Sequence, residues 1–224
     1  EYLGIQSGLL DQYASLFSEK SGPLIIDFSK LNHCYIKSNI KNASWIIINS
    51  MVHRELINSK YNDRVNECIR GLQEINNSLS KDVLMNGITL EHLDIIKDNE
   101  ILYNRLYHII SENNRVLEMK DYLEKGELSN IGRLLNQSHY SLSKYYNVSC
   151  KEIETIIAIS EKQSGFYGGR IMGGGFGGCT INLIDEYQKD KFIENVKSLF
   201  FDKYSYELKT DFVNFSNGLN INEF

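Results

Sequence analysis

The sequence predicts an α+β fold in which antiparallel strands pack against helices on one face. Short isoleucine-rich segments near both ends of the chain are typical of strands, whereas the middle carries apolar residues at helical spacing. The two kinds of element do not alternate as regularly as they do in a doubly wound parallel sheet. A mixed α+β arrangement therefore fits the order of elements better than an α/β one.

The first third of the chain is predicted to supply strands and then one long helix. Residues 23–30 (PLIIDFSK) and 43–50 (ASWIIINS) are short, apolar and bounded by Ser, Gly and Asn, so we expect strands there. The segment HCYIKS at 33–38 is a candidate third strand between them. From about Val52 the apolar residues recur at helical spacing, which predicts an amphipathic helix to about Asn77.

The remaining elements follow in order along the chain. Apolar periodicity predicts helices over 101–117 and 128–135, with Gly126 between them. Ser149 and Glu152 have the spacing of a capping box, so a helix is expected over 153–162. After a glycine-rich loop from Gly165 we expect a strand at 180–184, a helix at 189–201 and an edge strand at 211–215.

Composition excludes several classes of protein. The 224 residues carry a dispersed net charge of -5, with no basic face dense enough for nucleic acid, and no run of about 18 apolar residues that predicts a membrane span. We see no signal-peptide pattern and expect a soluble, cytoplasmic protein without a membrane partner. The cysteines and histidines have no metal-ligand spacing, so no metal site is expected, and His108 and His139 are predicted to be helix-packing or capping residues.

The densest local feature is a glycine-rich loop at residues 168–179 (GGRIMGGGFGGC), in which seven of twelve residues are glycine. Such loops persist where the backbone needs positive φ or must let a ligand approach closely. A helix is predicted before this loop and a strand after it, which excludes a dinucleotide fingerprint, and the loop lacks the GK[ST] ending of a Walker A motif. A tight packing turn remains the alternative to a ligand-binding loop.

The loop and four other segments, in the same order, resemble galactokinases of the GHMP sugar-kinase family. RIMGGGFGGCTINLI resembles the third conserved motif of that family, and GIQSGLLDQYAS at 4–15 resembles its catalytic-aspartate segment. The other segments lie at 48–68 (INSMVHRELINSKYNDRVNEC), 108–119 (HIISENNRVLEM) and 134–150 (LLNQSHYSLSKYYNVSC). Together they span nearly the whole chain.

The resemblance implies roles for a few residues. Asp11 matches the aspartate placed against the anomeric hydroxyl of the sugar, although an Asp in this local context, without the family, would be a helix N-cap. Gly8 matches a backbone contact to the sugar, and Tyr61 matches a sugar-contacting tyrosine. The loop that closes over the triphosphate matches four glycines: Gly173, Gly174, Gly175 and Gly177. Met172 stands where the family usually has Thr.

The resemblance also implies the wider organisation. It predicts a ferredoxin-like antiparallel sheet with packed helices, with residues 1–50 a remnant of an N-terminal catalytic domain and residues 51–224 the C-terminal domain. The expected activity is ATP-dependent phosphorylation of galactose at its C1 hydroxyl. ATP and Mg²⁺ are expected as cofactors, with their main ligands in a missing N-terminal half, so the chain alone is expected to be inactive.

Two alternatives to a galactokinase stay open at this stage. One is a kinase for N-acetylgalactosamine or another sugar, because the features that select the sugar are expected mainly in the N-terminal half. The other is a galactokinase-like sensor that binds sugar and ATP without turnover. In every case the expected partners are a small sugar, ATP and the N-terminal half, and the apolar surface before residue 50 is expected to be exposed.

Overall fold

The computed structural model describes residues 8–52 and 57–219, with only the backbone of 57–59. Residues 4–7 of the aspartate segment and 53–56 of the second matched segment lie outside the described residues. The α-helices are α1 (Leu10–Phe17), α2 (Ile57–Leu79), α3 (Glu100–Lys125), α4 (Leu128–Lys144), α5 (Lys151–Ser160) and α6 (Lys189–Tyr204). The strands are β1 (Leu24–Asp27), β2 (Asn32–Tyr35), β3 (Ala43–Asn49), β4 (Phe166–Met172), β5 (Cys179–Asp185) and β6 (Lys209–Val213).

The main sheet has four antiparallel strands in the order β4-β5-β3-β6. Its inner strand β3 pairs with β5 (Ile47 opposite Ile181) and with β6 (Trp45 opposite Val213). With α5 before β4 and α6 before β6, this order is that of a ferredoxin-like sheet, as predicted. β6 lies at an edge, which confirms the predicted edge strand.

Helices cover both faces of this sheet, so the expectation of helices on one face is wrong. On one face, Ile46 and Ile48 pack with residues of α5 and α6, among them Ile153 and Phe192. On the other face, Leu183 of β5 packs with Ile131 and Leu135 of α4. Because side chains alternate along a strand, the apolar residues Trp45 and Ile46 need cover on opposite faces.

A second apolar cluster lies between α2 and α3, beside a short 3-10 helix (Leu90–Ile96) that the sequence did not predict. Cys68 and Ile75 of α2 pack against Leu102 and Leu106 of α3. The long amphipathic helix predicted from about Val52 is confirmed from Ile57 onward. Among the described residues no helix is long and apolar enough to cross a membrane.

The N-terminal part of the described chain is the most exposed. Strands β1 and β2 form a separate hairpin, and α1 lies against it through Tyr13, which contacts the ring of His33 with its hydroxyl 2.8 Å from His33 Nδ1. Exposed large apolar side chains gather in this part: Leu9, Leu10, Leu16, Phe17, Phe28, Leu31 and Tyr35. The predicted apolar exposure is thus confirmed between residues 8 and 35.

The same expectation is wrong for residues 36–49. Ile36, Ile46 and Ile48 are all buried, and β3 is an inner strand of the main sheet. A boundary at residue 50 would fall directly after that inner strand, in the middle of one hydrogen-bonded sheet. The chain therefore changes from an exposed unit to the buried sheet between β2 and β3.

Two local predictions differ from the structure. Strand β4 occupies residues that we expected to belong to the glycine loop. Its glycines are needed for packing, because they allow α4 to approach the strand closely. A Cβ at Gly168 would overlap the backbone of Gly132 in α4, and a Cβ at Gly132 would overlap the carbonyl of Tyr167. The predicted capping box is absent as well, since Cys150 is the N-cap of α5 and its side chain makes no capping hydrogen bond.

Candidate functional site

The glycine loop, residues 173–178, joins β4 directly to β5. A strand precedes the loop, not the helix that we predicted, but a strand follows it, so the dinucleotide fingerprint is still excluded. The backbone has positive φ at Gly173 (75°), Gly175 (81°) and Gly177 (125°), and Phe176 also has positive φ (57°). Only glycine adopts such angles without a steric cost, which explains the glycine content of the loop.

The connection between α4 and α5 contacts the loop and fixes it. The N–H of Phe176 donates to the carbonyl oxygen of Val148 at 2.6 Å, and a Cβ at Gly175 would overlap that same carbonyl oxygen. On the other side, a Cβ at Gly177 would lie 3.0 Å from Val52. The loop therefore has little room to move towards the body of the protein.

Tyr61 lies against this loop. An ideal Cβ built on Gly174 would be 3.7 Å from Cδ2 of Tyr61, which is ordinary van der Waals contact. The residue before it, Lys60, places its ammonium 5.6 Å from the ring centroid of Phe176. The first turns of α2 and the glycine loop, which are far apart in the sequence, thus form one site.

Several backbone donors of the loop have no partner among the described residues. Within the described part of the chain, the N–H groups of Gly174, Gly175 and Gly177 have no hydrogen-bond acceptor. Oriented N–H groups in a glycine-rich loop bind anionic oxygens, because no side chain blocks the approach. The residues present therefore fit a phosphate group. Among the same described residues, no cluster of three or more His, Cys, Asp or Glu side chains could hold a metal ion.

The other two predicted site residues, Gly8 and Asp11, lie before and within α1. Asp11 is exposed in the first turn of α1, and the N-cap of that helix is Leu9, so the N-cap interpretation of Asp11 is wrong. A Cβ at Gly8 would meet nothing within 4 Å. Between described residues, no hydrogen bond or ion pair joins Asp11 to Tyr61 or to the glycine loop. The structure thus places Tyr61 beside the loop, whereas the sugar-contacting role of Asp11 stays a prediction.

A buried ionic network holds the helices behind the loop. Glu112 of α3 accepts from Arg170 of β4 and from Ser138 of α4, each at 2.6 Å, and from Arg115 at 2.8 Å. Burial would raise the pKa of the Glu112 carboxyl, but Arg170, Ser138 and Arg115 hold it below its usual value. The ionised carboxylate therefore ties α3, α4 and β4 together.

A second network links α2 to α3. Arg105 Nε donates to Glu67 at 2.6 Å, Arg64 also pairs with Glu67, and Arg105 binds the carbonyl oxygen of Tyr145. Although burial opposes the charged form, the two guanidinium groups keep the pKa of Glu67 below its usual value. Sequence reasoning missed both networks. The available signal was a charged residue among apolar positions of a helix, as Arg105 is between Leu102 and Leu106.

The two buried histidines are packing residues, as predicted. His108 Nδ1 lies 2.9 Å from the hydroxyl of Ser141, and burial lowers the pKa of His108 to about 4. His139 Nδ1 accepts from the N–H of Ile171 at 3.3 Å, close to the start of the glycine loop. Its Nε2 lies 3.3 Å from Glu154, and this neighbour lowers the pKa of Glu154 to about 2.

Comparison with known proteins defines first a class of domain. Residues 119–202 match the family described as GHMP kinases C terminal. The mevalonate kinase of L. major shares the fold at a TM-score of 0.55 and 14% identity, over 87% of this chain and 49% of that one. Residues 119–202 are therefore similar to the C-terminal domain of GHMP kinases.

Within that family the similarity is to galactokinases. The galactokinase of Clostridium perfringens is 36% identical over 97% of this chain and 57% of its own length. That of Enterococcus faecalis is 34% identical over 92% of this chain and 54% of its own length. The crystal structure of Lactococcus lactis galactokinase complexed with galactose matches at a TM-score of 0.89 and 30% identity, over 97% of this chain and 56% of that chain.

These matches confirm the resemblance to galactokinases that the sequence motifs predicted. They also show that the chain spans a little more than half the length of the relatives that it matches.

Proposed function

We propose that the whole protein is a sugar kinase that transfers the γ-phosphoryl group of ATP to the C1 hydroxyl of galactose, and that this chain is its C-terminal portion. The observation that carries the proposal is the position of Tyr61 beside Gly174, in a chain similar to galactokinases over 97% of its length. This position brings the residue expected to touch the sugar next to the loop expected to touch the phosphates.

In this reaction the C1 oxygen forms a bond to the γ-phosphorus while the bond from that phosphorus to the β,γ-bridging oxygen breaks. ATP would supply the phosphoryl group, and Mg²⁺ would screen the charge of its phosphates. Asp11 accepts the proton of the C1 hydroxyl and later releases it to solvent. Its exposed position in the first turn of α1 leaves the carboxylate accessible to a substrate.

The other predicted residues position the reactants. Gly174, Gly175 and Gly177 offer N–H groups to phosphate oxygens without a side chain in the way, and Gly173 lies at the exposed start of the same loop. Tyr61 contacts the sugar from the side of the loop, and Gly8 contacts it through its backbone. Holding the acceptor oxygen in line with the phosphorus is the main requirement of phosphoryl transfer.

We also propose that the chain contains parts of two domains, with the division between β2 and β3 instead of at residue 50. The exposed unit of α1 and the hairpin would then belong to the N-terminal domain of the whole protein. Its apolar side chains, such as Leu10 and Phe28, would be covered by the half that cradles ATP. The chain alone would bind ATP weakly and would not turn over.

The test is to incubate the whole protein with galactose, ATP and Mg²⁺ and to measure galactose 1-phosphate. We expect turnover by the parent and a loss of kcat by about 10²-fold to 10⁴-fold in Asp11→Asn, which cannot accept the proton. Asp94→Asn changes another exposed aspartate and serves as the matched control. Asp94→Asn should retain the parent's kcat.

The same assay distinguishes the alternatives. A higher kcat/KM for N-acetylgalactosamine than for galactose would change the substrate but keep the enzyme class. If the parent binds sugar and ATP but forms no sugar phosphate, a non-catalytic sensor replaces the kinase. Turnover by Asp11→Asn at the parent's rate would remove Asp11 from the mechanism.

A further inference from the structure

Lys60 is a cation beside the glycine loop that pairs with no carboxylate of the described residues. Its side chain is exposed at the start of α2, one residue before Tyr61. Its ammonium lies 5.6 Å from the ring centroid of Phe176, within the range of a cation–π contact. In the described ranges, no carboxylate lies within 4.0 Å of this ammonium.

The backbone of Phe176 is held in a fixed place. Phe176 has positive φ (57°), which costs energy for a residue with a side chain, and its N–H is bound to Val148 at 2.6 Å. The neighbouring glycines are closely packed. A Cβ at Gly175 would overlap Val148, and a Cβ at Gly177 would lie 3.0 Å from Val52. Since the backbone fixes where the side chain of Phe176 begins, its ring can hold the ammonium of Lys60 near the loop.

Among the described residues, both the ammonium of Lys60 and three N–H groups of the loop lack partners, and the ring that the ammonium contacts belongs to the same loop. The N–H groups of Gly174, Gly175 and Gly177 attract an anion, and an ammonium on a flexible stem can approach the same anion. Lysine acts as a point charge for phosphate, so it needs no fixed hydrogen-bond geometry. A phosphate bound by these N–H groups would therefore lie in the loop whose Phe176 ring contacts the ammonium of Lys60.

We propose that Lys60 binds the phosphates of the nucleotide, and that Phe176 is the positioning residue that holds its ammonium at the glycine loop. This inference rests on the proposed function, which supplies the nucleotide. It predicts that Lys60 acts on the triphosphate and not on the base or the sugar.

The experiment measures equilibrium binding to the whole protein by titration calorimetry, with ATP and with adenosine as separate probes. Lys60→Ala should raise the Kd for ATP by about five- to tenfold and leave the Kd for adenosine unchanged, because adenosine has no phosphate. Lys60→Arg should stay within about twofold of the parent, since it keeps the charge. Phe176→Leu should raise the Kd for ATP by about two- to threefold.

Lys97→Ala is the matched control, because Lys97 is also exposed but lies at the end of the 3-10 helix. It should bind ATP as the parent does. The inference is overturned if Lys60→Ala binds ATP with the parent's Kd, or if it weakens ATP and adenosine equally, which would indicate a structural role. A parent protein that binds no ATP would instead contradict the proposed function itself.

Discussion

A single buried histidine makes the stability of this protein depend on pH. His108 is 6% exposed, contacts the ring of Tyr146 and lies beside Ser141. Because burial disfavours the charged imidazolium, the folded protein keeps this side chain neutral where an unfolded chain would bind a proton. The imidazole of His108 is thus buried between α3 and α4 only in its neutral form.

We therefore predict a loss of stability in mild acid that depends on His108. The folded pKa of about 4 lies below the ordinary value of 6.5, so the unfolded state binds the proton first as the pH falls. Between about pH 6.5 and 4 the free energy of unfolding should decrease by up to about 1.4 kcal/mol per pH unit from this group.

Urea unfolding of the parent and of His108→Gln over this pH range checks the prediction. The glutamine variant should start less stable at pH 7.5, because the ring is lost, but should show a shallower decline with acid. Equal slopes for the two proteins would contradict the role of His108.

At the scale of helices and strands, the Glu112 network is the strongest tie between elements behind the loop. One carboxylate joins α3 to α4 through Ser138 and to β4 through Arg170. The same helix carries Glu118, which is 3.8 Å from Arg133 and half exposed. The two glutamates allow a matched comparison of a buried and an exposed ion pair on a single helix.

We predict that Glu112→Gln lowers the free energy of unfolding by about 2–3 kcal/mol, since it leaves Arg170 and Arg115 without a counter-charge. Glu118→Gln should cost less than about 1 kcal/mol, because water screens its partner. Chemical denaturation with an unchanged m-value measures both. Similar losses in the two variants would show that the Glu112 network adds nothing beyond a surface pair.

Element prediction from the sequence succeeded where periodicity was strong and failed where glycine was involved. The helices α3, α4 and α6 and the strands β3 and β5 lie where the apolar pattern placed them. Strand β4 was missed because glycine weakens strand propensity, while Gly168 is needed there for the approach of Gly132. The capping box failed because its spacing matched but the cap lies one residue later.

The site was predictable in its parts but not in its assembly. Motif resemblance selected Tyr61 and the loop glycines, whereas their contact depends on how α2 packs beside the loop, which no local pattern encodes. The partners of Glu67 and Glu112 are far away in sequence for the same reason. Pairing of charges in three dimensions requires the tertiary structure.

At the scale of the whole molecule, the main sheet is well buried, whereas the hairpin of β1 and β2 is not. The main sheet contains fully buried residues such as Ile46, Ile48 and Leu183, whereas strands β1 and β2 contain none. Local stability follows buried apolar contact, so the hairpin should open more often than the sheet.

Hydrogen exchange tests this difference. In this chain alone, backbone amides of β1 and β2 should exchange at least about tenfold faster than those of β3 and β5. In the whole protein the hairpin should become more protected, because the proposed N-terminal half covers it, while β5 serves as the internal control. Equal hairpin protection in the chain and in the whole protein would contradict that cover.

The inner position of β3 also has a consequence for the order of folding during synthesis. Trp45 is synthesised long before its strand neighbour Val213, and Ile46 long before Asn182, which lies opposite it. Strand β3 therefore cannot form its sheet hydrogen bonds, and its isoleucines stay unpacked, until nearly all of the described chain has been synthesised. Such distant pairings slow folding, so chaperone binding to the segment 43–49 would protect the nascent chain from aggregation.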